Sequence, residues 1–424
     1  MLHARSACFS GSVAKADFAA FYRYVVTIMF DYGKCLKCLS GGWILKQSFG
    51  IVWLMSHQTP EEKRADLERR ALRAFGRLEG RLSYASPALL RRFAFASLRQ
   101  ILVRSLEDAG FLDTSLVFDR WLAGGPPPQS GPSSEAPADA FAATILRYLK
   151  QASWPDLAEA AELLARAAPH LTRGEGIEAL ESVVEDARIL VTEMFAGDET
   201  GKGDPVYLIE KIANQARAHP AFAPGRREDL PIEIDGNHRS IPTSAPRAAS
   251  WALNLVLGDA LANARMLPIP LPLSRAVTAE TLRADLPQND RGLALARSVL
   301  ASLDHAFVLL DRARQSAERV EPSLRSFRPA ARAPVAELML SELGPLSVAQ
   351  LVRALSATRR GVISMLQPLE VAGLVARIGV RWQARAPSAA ADARDMPAGL
   401  MVDAAQEVDA ALARLDALLR TNQL

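Results

Sequence analysis

Between Ser356 and Arg385 the chain carries residue types that read and grip nucleic acid, at spacings that fit a helix followed by a hairpin. Ser356-Ala357-Thr358 is a short polar turn. Arg359 and Arg360 follow it directly, with Ser364 and Gln367 one and two helical turns further on. An arginine can donate two parallel hydrogen bonds to O6 and N7 of guanine, and a glutamine pairs in the same bidentate way with adenine. Arg377, Arg381 and Arg385 then recur every four residues. Cations on a strand pair suit phosphates, which set register and give salt-dependent affinity. The candidate DNA-contacting set is therefore Ser356, Thr358, Arg359, Arg360, Ser364, Gln367, Arg377, Arg381 and Arg385, with double-stranded DNA as the partner.

The charge is local. The formal net charge of the whole chain is only +3, which excludes a polycation that coats nucleic acid indiscriminately. Residues 322–386 hold nine arginines against three glutamates, a net of +6.

Catalytic chemistry has no comparable constellation. The six histidines, His3, His57, His170, His219, His238 and His305, are scattered, with no HExxH spacing and no His–Cys pairing. His305 stands beside Asp304 and reads as a surface or hydrogen-bonded helix residue. Gly197-Asp-Glu-Thr-Gly-Lys-Gly203 has three residues between its first two glycines where a phosphate loop has four. Gly203 also follows Lys202 where a serine or threonine would hold magnesium. Cys35-Leu-Lys-Cys38 has CxxC spacing, yet no second pair completes a zinc site and no βαβ context supports redox chemistry. The reading is no catalytic residue, no metal and no cofactor. A helical enzyme without a familiar motif, and an adaptor that binds protein instead of DNA, are the alternatives.

The elements that would position the arginines follow from capping and periodicity. Val335–Leu343 is an amphipathic helix stopped by Gly344-Pro345. Ser347 caps a second helix over 348–355, with Val348, Leu351 and Leu355 inward. A third helix over 359–372 turns Val362, Ile363, Leu366 and Leu369 inward, and Gly373 ends it as a left-handed cap. Pro368 lies inside that helix and removes a backbone hydrogen bond, so a kink or an early end is expected. Residues 374–385 alternate with strand period around a tight turn at Gly379. Together these make a winged helix-turn-helix over 322–386, in which one helix enters the major groove and a second fixes its angle.

The rest of the chain is predicted to be mainly α. Alanine, leucine and arginine dominate and only 6% of residues are aromatic, a composition that favours helices. Thr59-Pro60-Glu61-Glu62 opens a helical region over 55–123, with Leu67, Ala71, Phe75, Leu78 and Leu82 as one apolar stripe. Gly124–Ala138 is Pro/Gly/Ser-rich and predicts a disordered linker. A helical central domain follows over 139–321, broken by a candidate hairpin at Ile232–Gly236 and by the extended Pro268-Ile-Pro-Leu-Pro272. Its last helix runs from about Asn289 to Val320. In the C-terminal amphipathic helix expected over 401–424, Met401–Leu419 carries the stripe Val402, Val408, Leu412, Leu415 and Leu419. A homodimer seam through 401–419 is the expectation, and docking on the chain's own helical body is the alternative.

Residues 1–54 differ from the remainder. They hold all three cysteines, half the lysines and ten of the chain's 27 aromatic residues. Translation from Met55, a disordered extension, or a functional segment are the three readings. No apolar run reaches the roughly 20 residues of a membrane span, and the body has no cysteine. A cytoplasmic protein with no membrane partner is expected.

From residue 75 onward the layout resembles a group of proteins from rhizobia and related alphaproteobacteria, often plasmid-borne. They combine a domain of unknown function with a C-terminal helix-turn-helix. The features that carry the resemblance are Arg77-Leu-Glu-Gly-Arg-Leu-Ser-Tyr-Ala-Ser-Pro87, Trp251-Ala-Leu-Asn-Leu255 with the proline-rich exit at 268–272, Leu309-Leu-Asp-Arg-Ala-Arg314, and the terminal winged unit. Residues 1–54 and 124–138 are additional to that layout. The resemblance implies a DNA-binding protein of unknown biological role and no catalytic residue. The reading of the whole chain is a transcriptional regulator or a plasmid-associated DNA-binding protein.

Overall fold

A computed structural model describes residues 59–131, 136–196, 204–223, 229–234, 237–242, 249–325, 327 and 332–385. The N-terminal extension, the CxxC pair, Gly197–Gly203 and the 401–419 stripe lie outside these residues. A compact unit begins at Pro60, close to the compositional break at Met55. Among the described residues one helix, Gln288–Leu324, is long and apolar enough to cross a membrane, but its apolar face packs inside the protein.

The body is helical. α1 (Pro60–Ser83) and α2 (Pro87–Asp108) lead, α2 beginning where the Ser86 hydroxyl accepts from the Leu89 amide. α3 (Thr114–Leu122), α4 (Ala138–Leu149) and α5 (Pro155–Ala167) follow. Next come α6 (Ile177–Ala196), α7 (Pro205–Ala218) and α8 (Ser250–Asn263), then the short α9 (Ala279–Leu282) and the 37-residue α10 (Gln288–Leu324). The candidate hairpin is present as β1 (Asp229–Ile234) and β2 (Asn237–Pro242), antiparallel with Ile234 opposite Asn237.

The stripe Ala71, Phe75, Leu78 and Leu82 of α1 is buried, and α10 lies along it. That packing corrects the expected division of the body. α10 also crosses α2, so residues 60–122 and 138–324 share one continuous core instead of forming two domains joined by a tether. Within the expected disordered linker, the described residues 124–131 are attached. Leu112 pairs across an isolated bridge with Gln129, Pro128 is buried, and Gly131 is so close to the Gly110 carbonyl that a Cβ would meet it at 2.3 Å. Backbone pairing supplies the order that apolar side chains could not.

A second close approach fixes the proline-rich exit. The buried Gly258 of α8 faces the backbone of Leu271 and Pro272, which an added Cβ would meet at 2.5–2.7 Å. Gly258→Ala is expected to destabilise the chain by about 1–3 kcal/mol through overpacking, read as a lower urea midpoint.

The terminal unit is built from three helices and a small sheet. α11 (Ala333–Leu338) runs into a π-helical turn, Met339–Leu343, which Gly344 ends at φ 124°. β3 (Leu346–Ser347) leads into α12 (Val348–Leu355) and α13 (Arg359–Val371). β4 (Val375–Ile378) and β5 (Arg381–Ala384) complete an antiparallel sheet in the order β3-β5-β4. Neither β3 nor the π turn was expected from the sequence.

Candidate nucleic-acid interface

Local rules place α12 and α13. The Ser347 side chain accepts from the Gln350 amide while the Gln350 side chain accepts from the Ser347 amide, a reciprocal capping box. Gln350 is buried, and its Nε2 donates to the Leu122 carbonyl at 2.7 Å, tying the start of α12 to the end of α3. At the other end of α12, Ser356 adopts φ 47°. Arg332 donates to the Leu355 and Ser356 carbonyls, satisfying acceptors that the helix end leaves open. Thr358 then caps α13, its hydroxyl accepting from the Gly361 amide at 3.1 Å. The turn between the two helices is thus held by side chains at both edges.

α13 has one buried face and one open face. Val362, Leu366 and Leu369 are fully buried, each worth about 1.5–3 kcal/mol of burial. Thr358, Arg359, Arg360, Ser364 and Gln367 are exposed on the other side. Ile363, expected inward, is 37% exposed instead. It lies one residue past the buried stripe, and no body helix covers it. Pro368 is exposed and the helix continues through it to Val371, where the Ala372 amide reaches the Pro368 carbonyl. The missing bond therefore falls on the carbonyl of Ser364, which faces solvent. Gly373 (φ 72°) and Gly379 (φ 59°) hold the positive-φ positions that end α13 and turn the hairpin.

The basic residues separate into three groups. Arg359 and Arg377 line one shallow groove with Val352, Ile363, Val380 and Trp382, so α13 and the hairpin share a face. Arg377 Nε donates to the Gly379 carbonyl at 3.0 Å, which steadies the turn. Arg360 is exposed on α13, and Arg381 is half-buried on β5. Arg359, Arg360, Arg377 and Arg381 form no ion pair among the described residues. Arg385 stands apart from them. It sits at the base of the hairpin and lines a different cleft, together with residues of the body.

Two further arginines, read in the sequence only as charge, act as struts. Arg332 closes the α12–α13 turn, and Arg353 donates to the Ala167 carbonyl of α5 at 2.8 Å.

Two of the three glutamates counted against the positive charge of this region are buried and matched by the body. Arg92 of α2 donates to Glu337 at 2.6 Å and to Glu342 at 3.0 Å, and also to Ser341 at 2.8 Å and Ser316 at 3.0 Å. All three charged groups are buried. Burial holds the Glu337 carboxyl above the usual carboxylate range, and Arg92 pulls it only partly back. The exposed charge of the terminal unit is thus arginine with Glu370 as its one exposed acid. The open face itself carries Arg359, Arg360, Arg377 and Arg381, since Arg332 and Arg353 are occupied by backbone carbonyls and Arg385 lines another cleft.

Removing charge at the hairpin is expected to act uniformly on all sequences. Arg377→Ala with Arg381→Ala should lower the dependence of log affinity on log salt by about one unit for each phosphate that is no longer neutralised, leaving preference among sequences intact. A salt series on two unrelated duplexes measures it.

His305, expected to be a surface or hydrogen-bonded residue, is half-buried, and its Nε2 has no partner among the described residues. Burial, then the nearby Arg104, holds its imidazole below the usual range. It shares a small cavity with Ser97, but no carboxylate lines that cavity to orient a base.

No protein-family model and no curated protein matches this sequence.

Proposed function

We propose that residues 333–385 are a winged helix-turn-helix and that the chain binds double-stranded DNA through α13. The observation that carries this reading is the open face of α13. Arg359, Arg360, Ser364 and Gln367 stand exposed on a helix that packs within the unit, on α11, α12 and β4, while α12 packs on α5 and the π turn on α2. The order helix, strand, helix, helix, strand, strand suits a helix inserted in the major groove with a hairpin on the adjacent backbone. The resemblance to rhizobial helix-turn-helix proteins points the same way and favours a cytoplasmic regulator or a plasmid-associated protein. A homodimer through 401–419 would read two half-sites about one helical turn apart.

A second reading is favoured by the hairpin tip. Ile378 is 59% and Val380 76% exposed, an apolar tip more typical of a surface that meets protein. Selection of genomic fragments by the purified full chain separates the two. Enrichment of a discrete set of fragments supports DNA reading. Retention of no fragment makes the unit a protein-interaction module.

A further inference from the structure

We propose that the cleft between the helical body and the terminal unit binds a phosphate-bearing small molecule, separately from the open face of α13. The cleft has a volume of about 810 Å³, within the range of sites that hold small ligands. One wall is α10, where Arg312 and Arg319 are seven residues apart. Two turns put them on one face, about 10 Å apart along the axis. The opposite wall is the base of β5, with Arg385. Ser316 and Ser341 also line the cleft, each with its hydroxyl already accepting from Arg92.

The charge balance makes the cleft an anion site. Its two carboxylates are each held by another arginine: Asp119 by Arg99 at 2.5 Å, and Glu342 by Arg92 at 3.0 Å. Arg312, Arg319 and Arg385 form no ion pair among the described residues, and all three are exposed. Three arginines unpaired among the described residues, lining two walls of one concave space, suit a ligand with more than one anionic group. Phosphate oxygens accept the bidentate pairs that guanidinium donates. DNA seated on α13 is a poor match for this cleft, because Arg359, Arg360, Arg377 and Arg381 do not line it.

Such a ligand is placed to act on the terminal unit. β5 is the central strand of the β3-β5-β4 sheet, so an anion bridging Arg385 to α10 ties that strand to the body. Bound ligand then favours the docked arrangement by its differential affinity for it.

The test uses the full chain and inorganic pyrophosphate as the probe, titrated calorimetrically with sulfate as the control. Saturable pyrophosphate binding is expected, weakened at least tenfold in Arg312→Gln/Arg319→Gln. That variant should keep the unliganded melting temperature and the salt dependence of DNA retention of the parent. Absence of saturable binding, equal binding by the variant, or equal binding of sulfate overturns the proposal. A salt dependence reduced by about two in the variant also overturns it, and assigns the arginines to flanking DNA backbone. Failure of the chain to retain any DNA would count against the proposed function alone, since the pyrophosphate titration is read without DNA.

Discussion

Arg92→Met is expected to lower the stability of the chain by about 3–5 kcal/mol, the usual consequence of leaving a buried charge without its partner. Here two carboxylates, Glu337 and Glu342, converge on one guanidinium that itself is 5% exposed. Removing that guanidinium strands both between α2 and the π turn. Glu337→Gln should be far milder, because one carboxylate then remains for one arginine. Arg92→Met combined with Glu337→Gln and Glu342→Gln should recover most of the loss, since neutral groups carry a smaller desolvation penalty. Urea midpoints followed by tryptophan fluorescence measure all four proteins.

The same cluster sets a pH dependence. The carboxyl of Glu337 is held above its ordinary value, chiefly by burial. The folded state therefore binds its proton more tightly than the unfolded chain does. The stability this contributes is fully present below about pH 4.3, the ordinary glutamate value, and is lost as pH rises through the folded value. In Arg92→Met the main downward pull on that carboxyl is gone. The melting-temperature gap between variant and parent should therefore narrow as pH is lowered from 7 towards 5. A gap that is constant or widens would mean that the carboxylates are solvated and the cluster is not buried in solution.

The second large effect concerns α13. Arg359→Ala/Arg360→Ala is expected to lower affinity for a selected fragment by roughly 30-fold or more, since each bidentate arginine–guanine pair carries about 1–3 kcal/mol of discrimination. The fold should be unaffected, because both side chains are exposed and bond to no described residue. Base reading predicts a loss concentrated on the preferred sequence. If both arginines meet only phosphates, affinity for every duplex falls together and the salt dependence drops by about two. Equilibrium titration of preferred and random duplexes at two salt concentrations distinguishes these outcomes.

What was legible in the sequence was what local chemistry decides. Ser347 as a cap, Gly373 and Gly379 at positive φ, the bounds of α12 and α13 and the hairpin over 375–384 all follow from turn and capping rules, and each is present. The exposure of Arg359, Arg360, Ser364 and Gln367 followed from helical period alone. What depended on distant partners was not legible. Glu337 and Glu342 entered only as negative charges in a count, because Arg92 lies some 245 residues away in the chain. Ile363 was placed inward by its neighbours in the stripe, yet no other element covers it. The stretch after Leu122 looked like a tether by composition, while the Leu112–Gln129 bridge fastens it through backbone groups that composition does not describe. Arg385 belonged with the hairpin cations by spacing alone. It separates from them because β5 runs about 13 Å from Arg381 to its base, where the body begins.

Sequence-specific reading by α13 is the claim on which the rest turns. Its most direct test is a competition at physiological salt between the best selected duplex and a scrambled duplex of identical length and composition, using the full chain. The predicted result is a preference of about 10³-fold or more for the selected sequence. A ratio near one, whatever the absolute affinity, would contradict it.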